Sequence, residues 1–218
     1  GYRKNEKIPK KRSFIMKIRC SQLKLLMTAP RLKSEVLSET AKTLIKDLVK
    51  ESVFGVRKMI TSKAIEKGSR CEDASIDLLN SVLFESYTKH VGRVSNEYIT
   101  GECDILTDTC VRDIKTSWSI DTFPMFEDDI GNDYEWQMRG YMWLYNRDCA
   151  IVDYCLVDTP EDLIGYEQRE LHIVSHINPI HRVRSIAYNR DAQKEQLIID
   201  KVLAAREYYN QLLNEVTL

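Results

Sequence analysis

Two short apolar runs around a tight turn constrain this chain most: Gly101-Glu102-Cys103-Asp104-Ile105-Leu106 and Val111-Arg112-Asp113-Ile114-Lys115. They read as paired strands. Side chains alternate between faces along a strand, so Asp113 and Lys115 point the same way, and Asp104 can sit opposite them. A buried charge must be paired or bind a metal, which makes two acids and a lysine on one hairpin face poor core material. They are suited to holding a divalent cation beside a phosphodiester. Taken alone, Asp-x-Lys is common by chance, and it reads equally as a surface ion pair worth about 0–1 kcal/mol.

The elements around this hairpin follow from hydrophobic period. Ile18 to Met27 predicts a short helix with Ser21 as its N-cap. Helical spacing recurs over 34–53 and again over 62–87, the latter interrupted near Gly68. The period then shortens, predicting strands at 94–99, 102–107 and 110–117. An acidic loop spans 121–133 and a helix 133–146. A buried strand covers 149–157, a further strand 168–175 and a long helix 191–215. This order predicts an α/β fold, a central mixed β-sheet flanked by α-helices. With 218 residues, 43% of them hydrophobic, one domain over 15–218 can bury a good core, preceded by a basic arm over 1–14.

The net charge of -1 conceals a polarity: residues 1–70 carry +13 and the remainder -14. A basic first third suits an anionic partner, and an acidic remainder suits cations; solvated helix faces would look the same. The six cysteines include no C-x-x-C pair, which argues against a zinc site or a disulfide framework and fits a reducing, cytoplasmic setting. No run of 18 apolar residues offers a membrane span, and the basic N-terminus lacks the apolar stretch of a secretory signal.

Other residues suggest chemistry more weakly. Glu72 precedes an apolar helical stripe and could lean over the sheet as a further ligand. Gln137 and Tyr141, four apart, share a helix face and could hydrogen-bond a phosphate or an attacking water. Arg19 and Ser21 could form a phosphate site at a helix start. His172, His176 and His181 lack a recognisable ligand spacing and are read as structural.

The order of these pieces is more specific than any one of them. A helical Glu, then Gly-x-x-Asp, then Asp-x-Lys, then Gln-x-x-x-Tyr resembles the PD-(D/E)xK nuclease superfamily. Within it, the likeness is to the lambda-exonuclease and YqaJ-like viral recombinase group, related to RecB-type nuclease domains. The resemblance implies a restriction-endonuclease-like core in which Glu72, Asp104 and Asp113, with the Ile114 carbonyl, converge on one Mg²⁺; Mn²⁺ could substitute. It makes Lys115 the catalytic lysine and places Gln137 near the nucleophilic water or terminal phosphate, Tyr141 beside it. Ser21 matches a serine that holds a 5′-phosphate. Cys103 stands where the motif's name has proline, and Asp113 where many relatives have Glu. No cysteine follows Cys155, so the iron–sulfur cluster of the four-cysteine relatives is not expected.

These features imply a Mg²⁺-dependent exonuclease acting on double-stranded DNA ends in viral or recombination-linked metabolism, in the host cytoplasm if viral. Trp118 and Arg19 would position the terminal nucleotide. Two alternatives stand beside it: an endonuclease of the same superfamily (a nickase or junction resolvase), and a non-catalytic DNA-binding module on the nuclease fold. The apolar stripe of the last helix is read as packing on its own domain; the resemblance, through ring-forming relatives, raises homo-oligomer formation, and a single-strand annealing protein is a candidate partner.

Overall fold

A computed structural model describes residues 15–217, so the expected basic arm over 1–14 lies outside the described residues. Among the described residues, seven strands in two mixed sheets and seven α-helices build an α/β fold. The smaller sheet has the order β1 (Ile18–Arg19), β3 (Ile99–Gly101), β2 (Val94–Ser95); β1 runs parallel to β3, and β2 antiparallel. The larger has the order β4 (Ile105–Leu106), β5 (Cys110–Thr116), β6 (Cys149–Cys155), β7 (Val183–Asn189). Only its central pair, β5 and β6, is parallel. The chain leaves the small sheet at Gly101 and enters the large one at Ile105, so Glu102, Cys103 and Asp104 form the junction.

Alternation along β5 divides the core. Val111 packs with Met138, Tyr141 and Met142 of α5 (Glu135–Tyr145), and with α2 (Glu39–Phe54) and α7 (Ala192–Thr217) beyond. Ile114, on the other face, packs with Ile76, Leu78 and Leu79 of α4 (Glu72–Leu83). Helix α2 starts where the Ser38 hydroxyl accepts the Ala41 N–H at 3.0 Å, and it ends at Gly55, whose φ of 66° is the left-handed turn that glycine enters cheaply. The remaining short helices are α1 (Leu23–Leu26), α3 (Lys63–Arg70) and α6 (Glu161–Ile164).

Three sequence expectations are corrected. Ser21 caps no helix: β1 passes into a 3₁₀ turn over Cys20–Gln22 before α1, and Ser21 is exposed on that turn. The helix expected over 62–87 is two helices, and the break falls at Cys71 (φ -110°, ψ 12°), not Gly68. Glu72 is therefore the first residue of α4, where the helix dipole favours a carboxylate. The strand expected over 168–175 is absent; Arg169–Leu171 is a single 3₁₀ turn, and the strand is β7. As an edge strand, β7 buries only Val183 and Tyr188, leaving Arg184, Ser185 and Ala187 exposed, which hides its alternation.

Helix α5 approaches the small sheet closely. A Cβ on Gly140 would lie 2.8 Å from Cys20 Sγ and 2.8 Å from Leu23 Cδ1, and one on Gly101 would lie 2.7 Å from Cys20 Sγ. Alanine gains up to about 1 kcal/mol over glycine inside a helix, but overpacking costs about 1–3 kcal/mol, so packing wins. Gly140→Ala should lower stability by roughly 1–2 kcal/mol in urea unfolding. Adding Cys20→Ala should restore part of the loss, and an unchanged midpoint in the single variant would contradict this packing.

Candidate active site

One cleft of about 550 Å³ gathers Glu72, Asp104, Asp113, Ile114, Lys115, Gln137 and Tyr141. They come from four segments: the start of α4, the junction between the sheets, the C-terminal half of β5, and α5. The ladder register between β4 and β5 pairs Ile105 with Arg112, so Asp104 falls beside Asp113. Asp104 lies just before the ladder, and its Oδ2 accepts the Ile114 N–H at 2.7 Å.

Asp113 is buried on the α5 face of β5, at 2% exposure. Its Oδ1 accepts from Gln137 Nε2 at 3.1 Å, and the same amide donates to the Tyr141 hydroxyl at 3.1 Å. Both amide protons are thus spent inside the protein. Gln137 holds Asp113 in place. Asp113 Oδ2 lies 2.5 Å from Lys115 Nζ, an ion pair outside hydrogen-bonding alignment. The Lys115 ammonium also sits 4.4 Å from the centre of the Tyr134 ring, a cation–π contact.

Charge crowding shapes the protonation states. Burial first, and then the Asp113 charge, push the Asp104 carboxyl up to about 7, against the pull of the Ile114 N–H and Lys115. For Lys115, burial lowers the pKa, but its pairing with Asp113, with Tyr134 and Asp104 adding to it, outweighs burial and leaves it raised. Burial raises the Tyr141 phenol, and the Asp113 charge adds to it.

The donor set suits a hard divalent cation, which takes oxygen ligands. Glu72 Oε1 and Asp113 Oδ2 are buried acceptors without a hydrogen-bond donor. Such atoms are costly unless something binds them. The expected convergence on a common ion is not met as the side chains stand: among the described residues, no three His, Cys, Asp or Glu groups are close enough to share one. Each carboxylate has another partner: Glu72 meets Lys89 at 2.7 Å, Asp104 the Ile114 amide and Asp113 Lys115.

Three expected substrate residues lie elsewhere. Arg19 lines a different cavity of about 770 Å³, 3.6 Å from Glu51. Burial, and the charges of Arg57 and Arg93, lower its pKa, so a basic group gathers there that sequence spacing does not bring together. Ser21 is exposed on its turn and lines neither cavity. Trp118 is half-buried and tied to its own surroundings: its indole N–H donates to the exposed Glu167 at 2.9 Å, and its ring meets the buried His172 edge-on. His172, read from the sequence as lacking an acidic partner, is buried 3.2 Å from Glu167 Oε2 and 3.2 Å from Thr159 Oγ1. Lys89 and Tyr134 are site residues that the sequence did not single out, because neither belongs to a recognisable spacing.

The chain is similar to the crystal structure of a phage-related exonuclease from Haemophilus somnus 129PT. That match has 33% identity and a TM-score of 0.87, covering 93% of this chain and 97% of that one. It is also similar to an alkaline exonuclease, LHK-Exo, from Laribacter hongkongensis, with 15% identity, a TM-score of 0.68 and coverage of 92% and 91%. The same protein in complex with dAMP gives 16% identity, a TM-score of 0.67 and coverage of 92% and 91%. At these identities the LHK-Exo likeness concerns the fold alone. No protein-family model and no curated protein matches the chain.

Asp104 makes a measurable prediction for the ion-free protein. Its folded pKa of about 7 lies above the ordinary carboxylate value near 4. Between those two values the fold binds a proton that the unfolded chain has released, so stability falls as pH rises through that window. Asp104→Asn should remove this slope. In chelator it should raise stability at pH 8 by on the order of 1 kcal/mol and do little at pH 4, read by thermal unfolding. A variant less stable than wild type at pH 8 would show that the carboxylate is not strained.

On its fold and a relative at 33% identity over nearly the whole chain, the protein belongs to the phage-related exonuclease family, in the lambda-exonuclease and YqaJ-like group of PD-(D/E)xK nucleases.

Proposed function

We propose that the protein is a Mg²⁺-dependent exonuclease that hydrolyses phosphodiester bonds at double-stranded DNA ends. The supporting observation is the single cleft holding Glu72, Asp104, Asp113, Lys115 and Gln137. Glu72, Asp104 and Asp113, with the Ile114 carbonyl, are the residues that would hold the ion. When bound, it would activate water and offset the charge that builds on the phosphate.

The protein's own groups divide the remaining work. Lys115, kept protonated by Asp113 and Tyr134, is an ammonium at neutral pH. It suits stabilising negative charge at the scissile phosphate more than removing a proton from water. Gln137 fixes the rotamer of Asp113 from α5, so the carboxylate is oriented before substrate arrives. Burial and the Asp113 charge favour the protonated form of Asp104, and a bound divalent cation would favour its carboxylate. Backbone phosphates would be met by the basic first third, Arg19 and Arg57 included, with Arg93 beside them, giving salt-sensitive binding with little sequence preference. Kinship with a phage-related exonuclease favours end-directed cleavage over the endonuclease reading.

Lys115→Ala and Asp113→Asn should each lower cleavage of linear duplex roughly a hundredfold or more, with duplex binding retained. Covalently closed circles should stay intact under wild-type enzyme and Mg²⁺. Near-wild-type cleavage by either variant would overturn the residue roles, and cut circles would replace the exonuclease reading with an endonuclease.

A further inference from the structure

Glu72 is the one cleft carboxylate whose partner comes from outside the nuclease motif. Lys89 Nζ lies 2.7 Å from Glu72 Oε2, with side-chain exposures of 48% for the lysine and 20% for the glutamate. The pair is thus asymmetric: the carboxylate is held at the start of α4, and the ammonium enters from solvent on a flexible stem. Glu72 Oε1 remains buried without a donor.

The loop after α4 is anchored on both sides of Lys89. Asn80 of α4 binds the Tyr87 backbone twice, accepting its N–H at 2.8 Å and donating to its carbonyl at 2.9 Å. The His90 N–H then donates to the Asp104 carbonyl at 2.7 Å. Residue 89 is therefore delivered between α4 and the sheet junction. The charges of Asp104 and Asp73 also act on it, after Glu72 itself. Its presence leaves Glu72, Asp104 and Asp113 facing two ammonium groups in place of Lys115 alone.

Building on the metal-dependent reading above, we propose that Lys89 is the resident counter-ion of the site, neutralising Glu72 in the ion-free protein and yielding it to a divalent cation. A lysine suits this exchange. It carries one charge, donates hydrogen bonds only, and swings out on a four-carbon stem. A half-exposed ion pair is weak, so displacement is easy. The pair offsets part of the carboxylate charge without closing the site to an ion.

Calorimetric titration of the DNA-free protein with Mn²⁺ tests this. Lys89→Met keeps the stem and removes the competitor, so Mn²⁺ should bind on the order of threefold to fivefold tighter. In a Glu72→Gln background, Lys89→Met should change Mn²⁺ affinity no further, because the contested carboxylate is gone. Thermal unfolding in chelator should show Lys89→Met no more stable than wild type, with a larger rise on adding Mn²⁺. Unchanged or weaker Mn²⁺ binding by Lys89→Met would overturn the proposal; if duplex DNA binding fell at the same time, Lys89 would be a phosphate contact instead. Equal Mn²⁺ binding by wild type and Asp113→Asn would instead sink the carboxylate metal site itself, and the counter-ion role with it.

Discussion

The hydrogen bond from the Ile114 amide to Asp104 fixes the point from which the site is built. It ties the three-residue junction between the sheets to the strand beneath it, just before regular pairing begins. Asp104 therefore has a defined position although it belongs to no ladder. The same amide steadies the negative charge that burial disfavours. The His90 amide, bound to the Asp104 carbonyl, brings the loop after α4 to the same place. Two backbone donors thus locate one acidic residue and, through it, two elements.

Charge is sorted by the two faces of β5. On the α4 face, Arg112 meets Asp153 of β6 through two bonds of 2.8 and 2.9 Å, with the Ser185 hydroxyl donating to Asp153 and the Tyr87 ring 5.2 Å from the guanidinium. That pair satisfies itself. On the α5 face, Asp113 keeps one oxygen without an aligned donor, and acids outnumber cations. Adjacent residues of one strand thus serve opposite ends: Arg112 closes a buried network and Asp113 holds an open one.

Much of this was legible in the chain itself. The hairpin, the acid ahead of an apolar helical stripe, and the Gln137–Tyr141 spacing all depend on local period, and the structure gathers them in one cleft. What was not legible depends on contacts made across the fold. The edge strand β7 buries too few side chains to show alternation. Ser21 looks like a cap only until the neighbouring strand draws Ile18 and Arg19 into pairing with β3. Arg19 turns towards Glu51 of α2, a partner 32 positions away that no motif announces. Trp118 answers to Glu167 and His172, and Lys89 reaches Glu72 only because Asn80 and Asp104 hold its loop.

The thiol of Cys20, pressed between the two glycines at positions 101 and 140, fills a gap with no spare volume. Its residue is 1% exposed, and burial raises its pKa far out of the reactive range. An alkylating reagent would find neither a thiolate nor room for the added group until α5 lifts away from the small sheet. This one sulfur therefore reports docking of the helix that carries Gln137: its labelling rate follows the fraction of molecules in which that helix is unseated.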